Sequence, residues 1–310
     1  MSANPLAPHA AGPSTGIATL GVILASVGFG IVPLFARSLT EAGMAPHAVA
    51  MYRYLLASVV LAPVVWRWRH HARVMVWGLM VGAAIGLGWV AYVRAVEVAP
   101  VSTVGVLYMT YPAFTLVFAW ALFGERPSWR AVIGAGVILL AAVLVTTPGA
   151  VAVEHVPALL LSLAAPAGFG FGISVLVHRM TPIPALARIG IVSAGSMLGL
   201  MPLLLSTPAT ALMPVDSAGW MMVVGVGLAT ALVPQLLYTV CSPIIGTART
   251  AIAGSIELPV MFAIGWLAFG EGLRPVQIVA CAMVLGAILL TPARQPRSIA
   301  ADRQDAAPGG

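Results

Sequence analysis

Glu257 and Arg53 stand inside long apolar runs of this 310-residue chain, and both could do chemistry there. Glu257 is about ten residues into the stretch 247–269, which at roughly 1.5 Å per helical residue places it near the middle of a bilayer. A carboxyl at that depth is costly when charged and is by default a functional group, here a candidate for taking up and releasing a proton. The alternative is a structural role, bonding backbone groups freed near Pro259. Arg53, in Tyr52-Arg53-Tyr54, carries a planar fork of donors that suits a carboxylate. It could equally reach outward to the interface or hold neighbouring carbonyls.

Aromatic and amide residues recur at helical spacing. Trp89 and Tyr92, Tyr108 and Tyr111, and Gln235 and Tyr238 are pairs at i and i+3, so each pair shares one face of a helix. Apolar walls with a few polar groups are what a small-molecule site needs. An interfacial aromatic belt explains Tyr92 and Tyr238 equally well, but it suits the deeper Tyr111 poorly. Phe29 and Phe171, set among glycines, are further candidates as walls or gates.

These residues must be positioned by membrane helices. The chain is 60% hydrophobic and 8% charged, with a mean hydropathy of +1.02, which leaves too little polar surface for a water-facing shell. Breaks at charge, Pro and Gly clusters give ten apolar segments: 16–36, 46–66, 74–93, 100–123, 129–147, 156–177, 184–206, 217–240, 247–269 and 274–292. The expected fold class is an all-α integral membrane protein with ten transmembrane helices. With the N-terminus inside, eleven Arg fall on the cytoplasmic side and three outside, so both termini are expected in the cytoplasm. The first 15 residues lack the basic region of a cleaved signal peptide, and the tails 1–15 and 294–310 are expected to be disordered. Glycines at 78, 82 and 86 should allow close helix packing, and Pro33 and Pro166 should bend segments one and six.

The sequence repeats itself. Phe123-Gly124-Glu125 returns as Phe269-Gly270-Glu271, and Tyr92 returns as Tyr238, both at an offset of 146. Phe29-Gly30-Ile31 with Arg37 returns as Phe171-Gly172-Ile173 with Arg179 at an offset of 142. Glu257 corresponds to Tyr111, each close before a Pro. The expected organisation is two five-helix repeats, 16–149 and 150–293, inverted relative to each other because five is odd. Such repeats are a signature of secondary transporters, with the substrate held near midplane between the halves.

Tyr111-Pro112, ten residues, then Phe123-Gly124-Glu125-Arg126-Pro127 resembles the EamA module of the drug/metabolite transporter superfamily, and Glu257-Leu258-Pro259 with Phe269-Gly270-Glu271 resembles its second copy. Arg53 is similar to an Arg often found early in the second span of such modules. The resemblance implies a ten-helix exporter of metabolites in a bacterial-type inner membrane, and within the family it is toward aromatic amino-acid exporters. The chemistry present narrows the cargo. All 15 basic residues are Arg, so there is no Lys for a nucleotide phosphate loop or a Schiff base. Few buried cations argue against sugar-phosphate exchange, and no acidic residue in segment one argues against cation export. Scattered Arg, despite a net charge of +6, gives no nucleic-acid patch. Cys241 and Cys281 read as packing residues; no HExxH, GxSxG or His–Cys cluster is present, so no metal, cofactor or enzyme is expected. The expected partners are a small-molecule substrate, the lipid bilayer and protons, with neither nucleotide nor nucleic acid. A facilitative channel is the alternative reading, as is export of another amphipathic metabolite or drug.

Overall fold

The computed structural model describes residues 14–146, 152–254 and 256–290. Both expected tails (apart from Ser14 and Thr15) and the 149/150 boundary between halves lie outside the described residues. The elements are helical: α1 Thr15–Gly30, α2 Val32–Glu41, α3 Pro46–Arg67, α4 Ala72–Val98, α5 Val101–Tyr108, α6 Tyr111–Phe123, α7 Trp129–Val145, α8 Val156–Ser162, α9 Ala164–Arg179, α10 Ala185–Leu205, α11 Ala209–Leu212, α12 Ser217–Gly227, α13 Val233–Gly254, α14 Glu257–Phe269 and α15 Pro275–Leu290. A short 3₁₀ turn precedes α8, and a π turn over Leu228–Leu232 joins α12 to α13.

Among the described residues, seven stretches are long and apolar enough to cross a membrane: Thr15–Glu41, Pro46–Arg67, Ala72–Val98, Val101–Phe123, Val153–Arg179, Ala185–Leu205 and Ser217–Ser242. Three apolar helices are shorter, Trp129–Val145, Glu257–Phe269 and Pro275–Leu289. Ten crossing segments are expected from the sequence; seven of the described helical stretches are long and apolar enough to cross, and the ninth expected segment, 247–269, is divided between the end of α13 and α14. The turn expected at 241–246 falls inside α13, because one Pro removes one backbone bond and bends an apolar helix without ending it. Large apolar side chains such as Leu24, Val60, Trp120, Leu140, Met221 and Leu267 remain exposed. In water that belt would be a liability; against lipid it needs no partner. The chain is a multi-pass integral membrane protein.

Helix ends follow local chemistry. Ser14, Ser128 and Asp216 cap α1, α7 and α12 by accepting the amides of Ile17, Ala131 and Gly219. Gly124 and Gly270 end α6 and α14 in the left-handed conformation, φ 67° and 63°, which side chains avoid. The next amide then folds back in the same way in both places, Glu125 N to Ala119 O at 3.1 Å and Glu271 N to Gly265 O at 3.0 Å. Prolines set the interruptions: the chain breaks at Ile31 two residues before Pro33, at Met109–Thr110 before Pro112, and at Leu163 before Pro166.

Small residues set the helix spacing. The α4 glycines meet α10, and Ser196 Oγ donates to Gly82 O at 2.8 Å across that seam. A Cβ on Gly82 would stand 2.6 Å from Ser196 N and 2.7 Å from Gly195 Cα, both backbone atoms that cannot yield. Gly82→Val is therefore expected to cost about 1–3 kcal/mol or more by overpacking. The check is the yield of monodisperse protein after detergent extraction; wild-type yield and unfolding temperature would refute the packing assignment.

Candidate functional site

The interruptions expose polar backbone inside the apolar bundle, and the site residues gather there. Arg53 enters from α3, 6% exposed, with its guanidinium 3.7 Å from the Trp89 ring centre and 5.6 Å from that of Tyr54. Its Nη2 donates to Thr230 O at 3.2 Å. That carbonyl is four residues before Pro234, which has no N–H to give it, and it lies in the π turn Leu228–Leu232. The missing amide and the buried guanidinium satisfy each other.

Rings continue from Trp89. Tyr92 lies 4.6 Å away edge-on, Tyr108 5.7 Å from Trp89 and 5.8 Å from Tyr92, and Tyr111 6.0 Å beyond Tyr108. Phe169 of α9 closes the row, 5.0 Å from Tyr111 in a T-shaped contact and 6.0 Å from Tyr108. Tyr238 meets Phe29 at 6.1 Å. Glu257 and Tyr111 are the first residues of α14 and α6. The Glu257 carboxyl is within electrostatic reach of Arg53, Tyr92, Tyr108, Tyr111 and Tyr238. Gly30 of α1 and Gly170 of α9 lie against the carbonyls of Glu257 and Tyr111 respectively, so each proline-interrupted helix start is packed by the other half of the chain.

The site is polar where nothing answers it. Among the described residues, Arg53 Nε and Nη1, Tyr92 Oη and Gln235 Oε1 are buried and have no hydrogen-bond partner. Buried polar groups are rarely left unpaired, and those that are need a reason. Here they are three donors in contact with a row of rings, and one acceptor on α13 a turn before Tyr238, groups that an incoming amphipathic solute could satisfy.

Arg53, Trp89, Tyr92, Tyr108, Tyr111, Tyr238, Phe29, Gln235 and Glu257 are thus placed on the helices around this region. Phe171 is not in that row: it lies between Phe118 at 5.5 Å and Trp77 at 6.4 Å, nearer the Glu125 end. Phe169, two residues earlier, takes the place beside the tyrosines. The sequence offered both in one Gly-Phe-Gly-Phe-Gly run, where a period of 3.6 sends neighbours two apart to different faces. Thr230 also escaped the sequence; Pro234, four residues on, was the available signal.

At one end of the bundle, a cleft of ≈ 260 Å³ is lined by Arg37, Glu97, Val98, Ala99, Pro100 and Glu271. Arg37 Nη1 pairs with Glu271 Oε1 at 2.9 Å, and Glu271 also accepts the Val101 amide on both oxygens at 3.1 and 2.8 Å. Val101 starts α5 and Glu125 follows α6, so Glu125 stands at the opposite end of the same stretch.

This geometry is that of a polytopic membrane protein whose interrupted helices bring buried polar groups together inside the apolar bundle. Residues 16–147 match the sequence profile of the EamA-like transporter family. No curated protein matches the sequence. A solved chain titled "Crystal structure of protein" is similar in fold at a TM-score of 0.60, with 21% identity over 94% of this chain and 100% of that one.

Proposed function

We propose that the protein is a secondary carrier that exports small amphipathic metabolites by alternating access. Amino acids with large apolar or aromatic side chains are the leading cargo. The carrier has ten spans in two inverted halves, with both termini in the cytoplasm of a bacterial-type inner membrane. The single observation that carries this reading is the set of unanswered buried polar atoms on Arg53 and Tyr92, both in contact with the aromatic row, together with Gln235 Oε1 on α13. A carboxylate suits the free Arg53 and Tyr92 donors, an ammonium suits Gln235 Oε1 with Glu257, and rings suit Trp89, Tyr108, Tyr111 and Phe169. The match of residues 16–147 to a transporter family supports the same reading.

The test is counterflow in liposomes preloaded with unlabelled amino acids. Saturable uptake of labelled Phe, Tyr, Trp or Leu is expected, competed best by aromatic zwitterions. Trp89→Ala, Tyr111→Ala and Gln235→Ala should each raise the half-saturation constant about 10-fold at normal expression, the order of one lost buried contact. Uptake that neither saturates nor shows counterflow would make the protein a channel. Saturable transport of other amphipathic solutes but no amino acid would keep the carrier and remove the cargo.

A further inference from the structure

The repeated Phe-Gly-Glu sequences do the same mechanical work at opposite ends of the bundle, but with different chemistry. At the Glu271 end, Arg37 lies 4.5 Å over the Phe269 ring while it pairs with Glu271. At the Glu125 end, Arg179 lies 5.5 Å over Phe123, and His178 Nε2 pairs with Glu125 Oε2 at 3.1 Å. In both, the first stretch of one half places an Arg over the ring that closes the fourth stretch of the other half; the carboxylate beside that ring is met by the same Arg at the Glu271 end and by His178 at the Glu125 end. The departure from symmetry is the histidine: at the 142 offset, His178 corresponds to Ala36.

The geometry around His178 fixes a proton count. Its ring is stacked flat on Phe123, centroids 4.3 Å apart and planes 2° from parallel. Its Nδ1 faces Ser174 O at 2.8 Å, a carbonyl that only accepts. Its Nε2 faces the Glu125 carboxyl. A neutral imidazole carries one N–H and a carboxylate carries none, so one proton cannot serve both contacts. Both bonds form only when the pair holds a second proton, on the ring or on the carboxyl. The Arg37–Glu271 pair has no such requirement, because a guanidinium stays charged. Among the described residues, the charged groups that face the histidine and its stacked ring include Glu125, in the loop after α6, and Arg179, beside it on α9; α4 contributes Trp77 against the same Phe123 ring.

We propose that the Glu125–His178 pair is a proton-operated gate on one membrane face, closing with uptake of one proton, while Arg37–Glu271 is a proton-indifferent gate on the other. This rests on the carrier reading for its purpose, and on the Arg count for calling the Glu125 face cytoplasmic. A more alkaline cytoplasm opens the inner gate and an acidic one holds it shut. One proton per closure shifts the open-to-closed ratio by up to about tenfold per pH unit.

The test needs no known substrate. In protein with Cys241 and Cys281 replaced by Ser, Thr115→Cys places a thiol beneath the His178 gate, next to the Thr115 carbonyl to which Ser174 Oγ donates at 3.1 Å. Maleimide labelling in oriented liposomes is normalised at each pH to the denatured protein, which removes the thiol's own titration. Labelling from the Glu125 face is expected to rise about tenfold or more from pH 5.5 to 8. Glu125→Gln supplies an amide N–H to a neutral ring, and His178→Gln closes without a proton, so both variants should lose the pH response. Glu271→Gln should raise labelling from the opposite face equally at every pH. A pH response that survives in both Glu125→Gln and His178→Gln overturns the proposal, as does its absence in the parent protein. Failed counterflow with an intact labelling response would instead remove the cargo assignment and leave the gate.

Discussion

Replacing Arg53 by Gln is expected to lower carrier exchange about 100-fold, in line with the roughly 2–5 kcal/mol lost when one side of a buried charge contact is truncated. The destinations of the guanidinium's donors set this expectation. Nη2 is already given to the Thr230 carbonyl, and the plane is held over Trp89. Nε and Nη1 remain buried without a partner among the described residues. A residue needed only to fill the backbone gap at Pro234 would have no use for those remaining donors. Arg53→Lys keeps the charge but loses the stacked plane, so it should recover only part of the rate. The discriminating measurement compares an amino acid with its carboxamide. Wild type should favour the acid and Arg53→Gln should treat both alike. An unchanged acid-to-amide preference, with exchange lost through poor folding, would make Arg53 a purely structural brace for the π turn.

How far this could be read from sequence varies with the kind of signal. The apolar segments were legible because a bilayer imposes a length, and the breaks near Pro33, Pro112 and Pro166 were legible because proline withholds a backbone donor. The burial of Arg53 was also legible, since a lone Arg in an apolar run has no solvated face to occupy. What stayed hidden was set by helix phase and by partners distant in sequence. The π turn changes the phase after Gly227 without any residue type that announces it. The choice of Phe169 over Phe171 beside Tyr111 depends on how α9 is rotated against α6. The offset of 146 revealed that Glu125 and Glu271 are equivalents. It did not reveal that each is met by a basic side chain distant in sequence, His178 for Glu125 and, across 234 positions, Arg37 for Glu271.

Two acids then remain with different expected duties, and their variants should separate. Glu257 begins α14 among Arg53 and four tyrosines; in the proposed carrier cycle a proton and a substrate ammonium would compete for its carboxyl. Glu257→Gln keeps the shape and removes the exchangeable proton. Accumulation driven by a pH gradient should therefore collapse to a ratio of about 1, while counterflow at equal pH stays saturable with its half-saturation constant raised about 10-fold, because the carboxylate that meets the substrate ammonium has gone along with the exchangeable proton. The same variant should leave the alkaline opening at Glu125–His178 untouched, since that proton is held at the end of α6 and α9. His178→Gln should do the reverse, retaining gradient-driven accumulation at reduced rate and losing the gate's pH response. If Glu257→Gln still accumulates substrate against a gradient, coupling does not pass through the central carboxyl. The Glu125–His178 pair would then be the one proton site of the cycle, with Glu257 reduced to holding the start of α14 against Gly30.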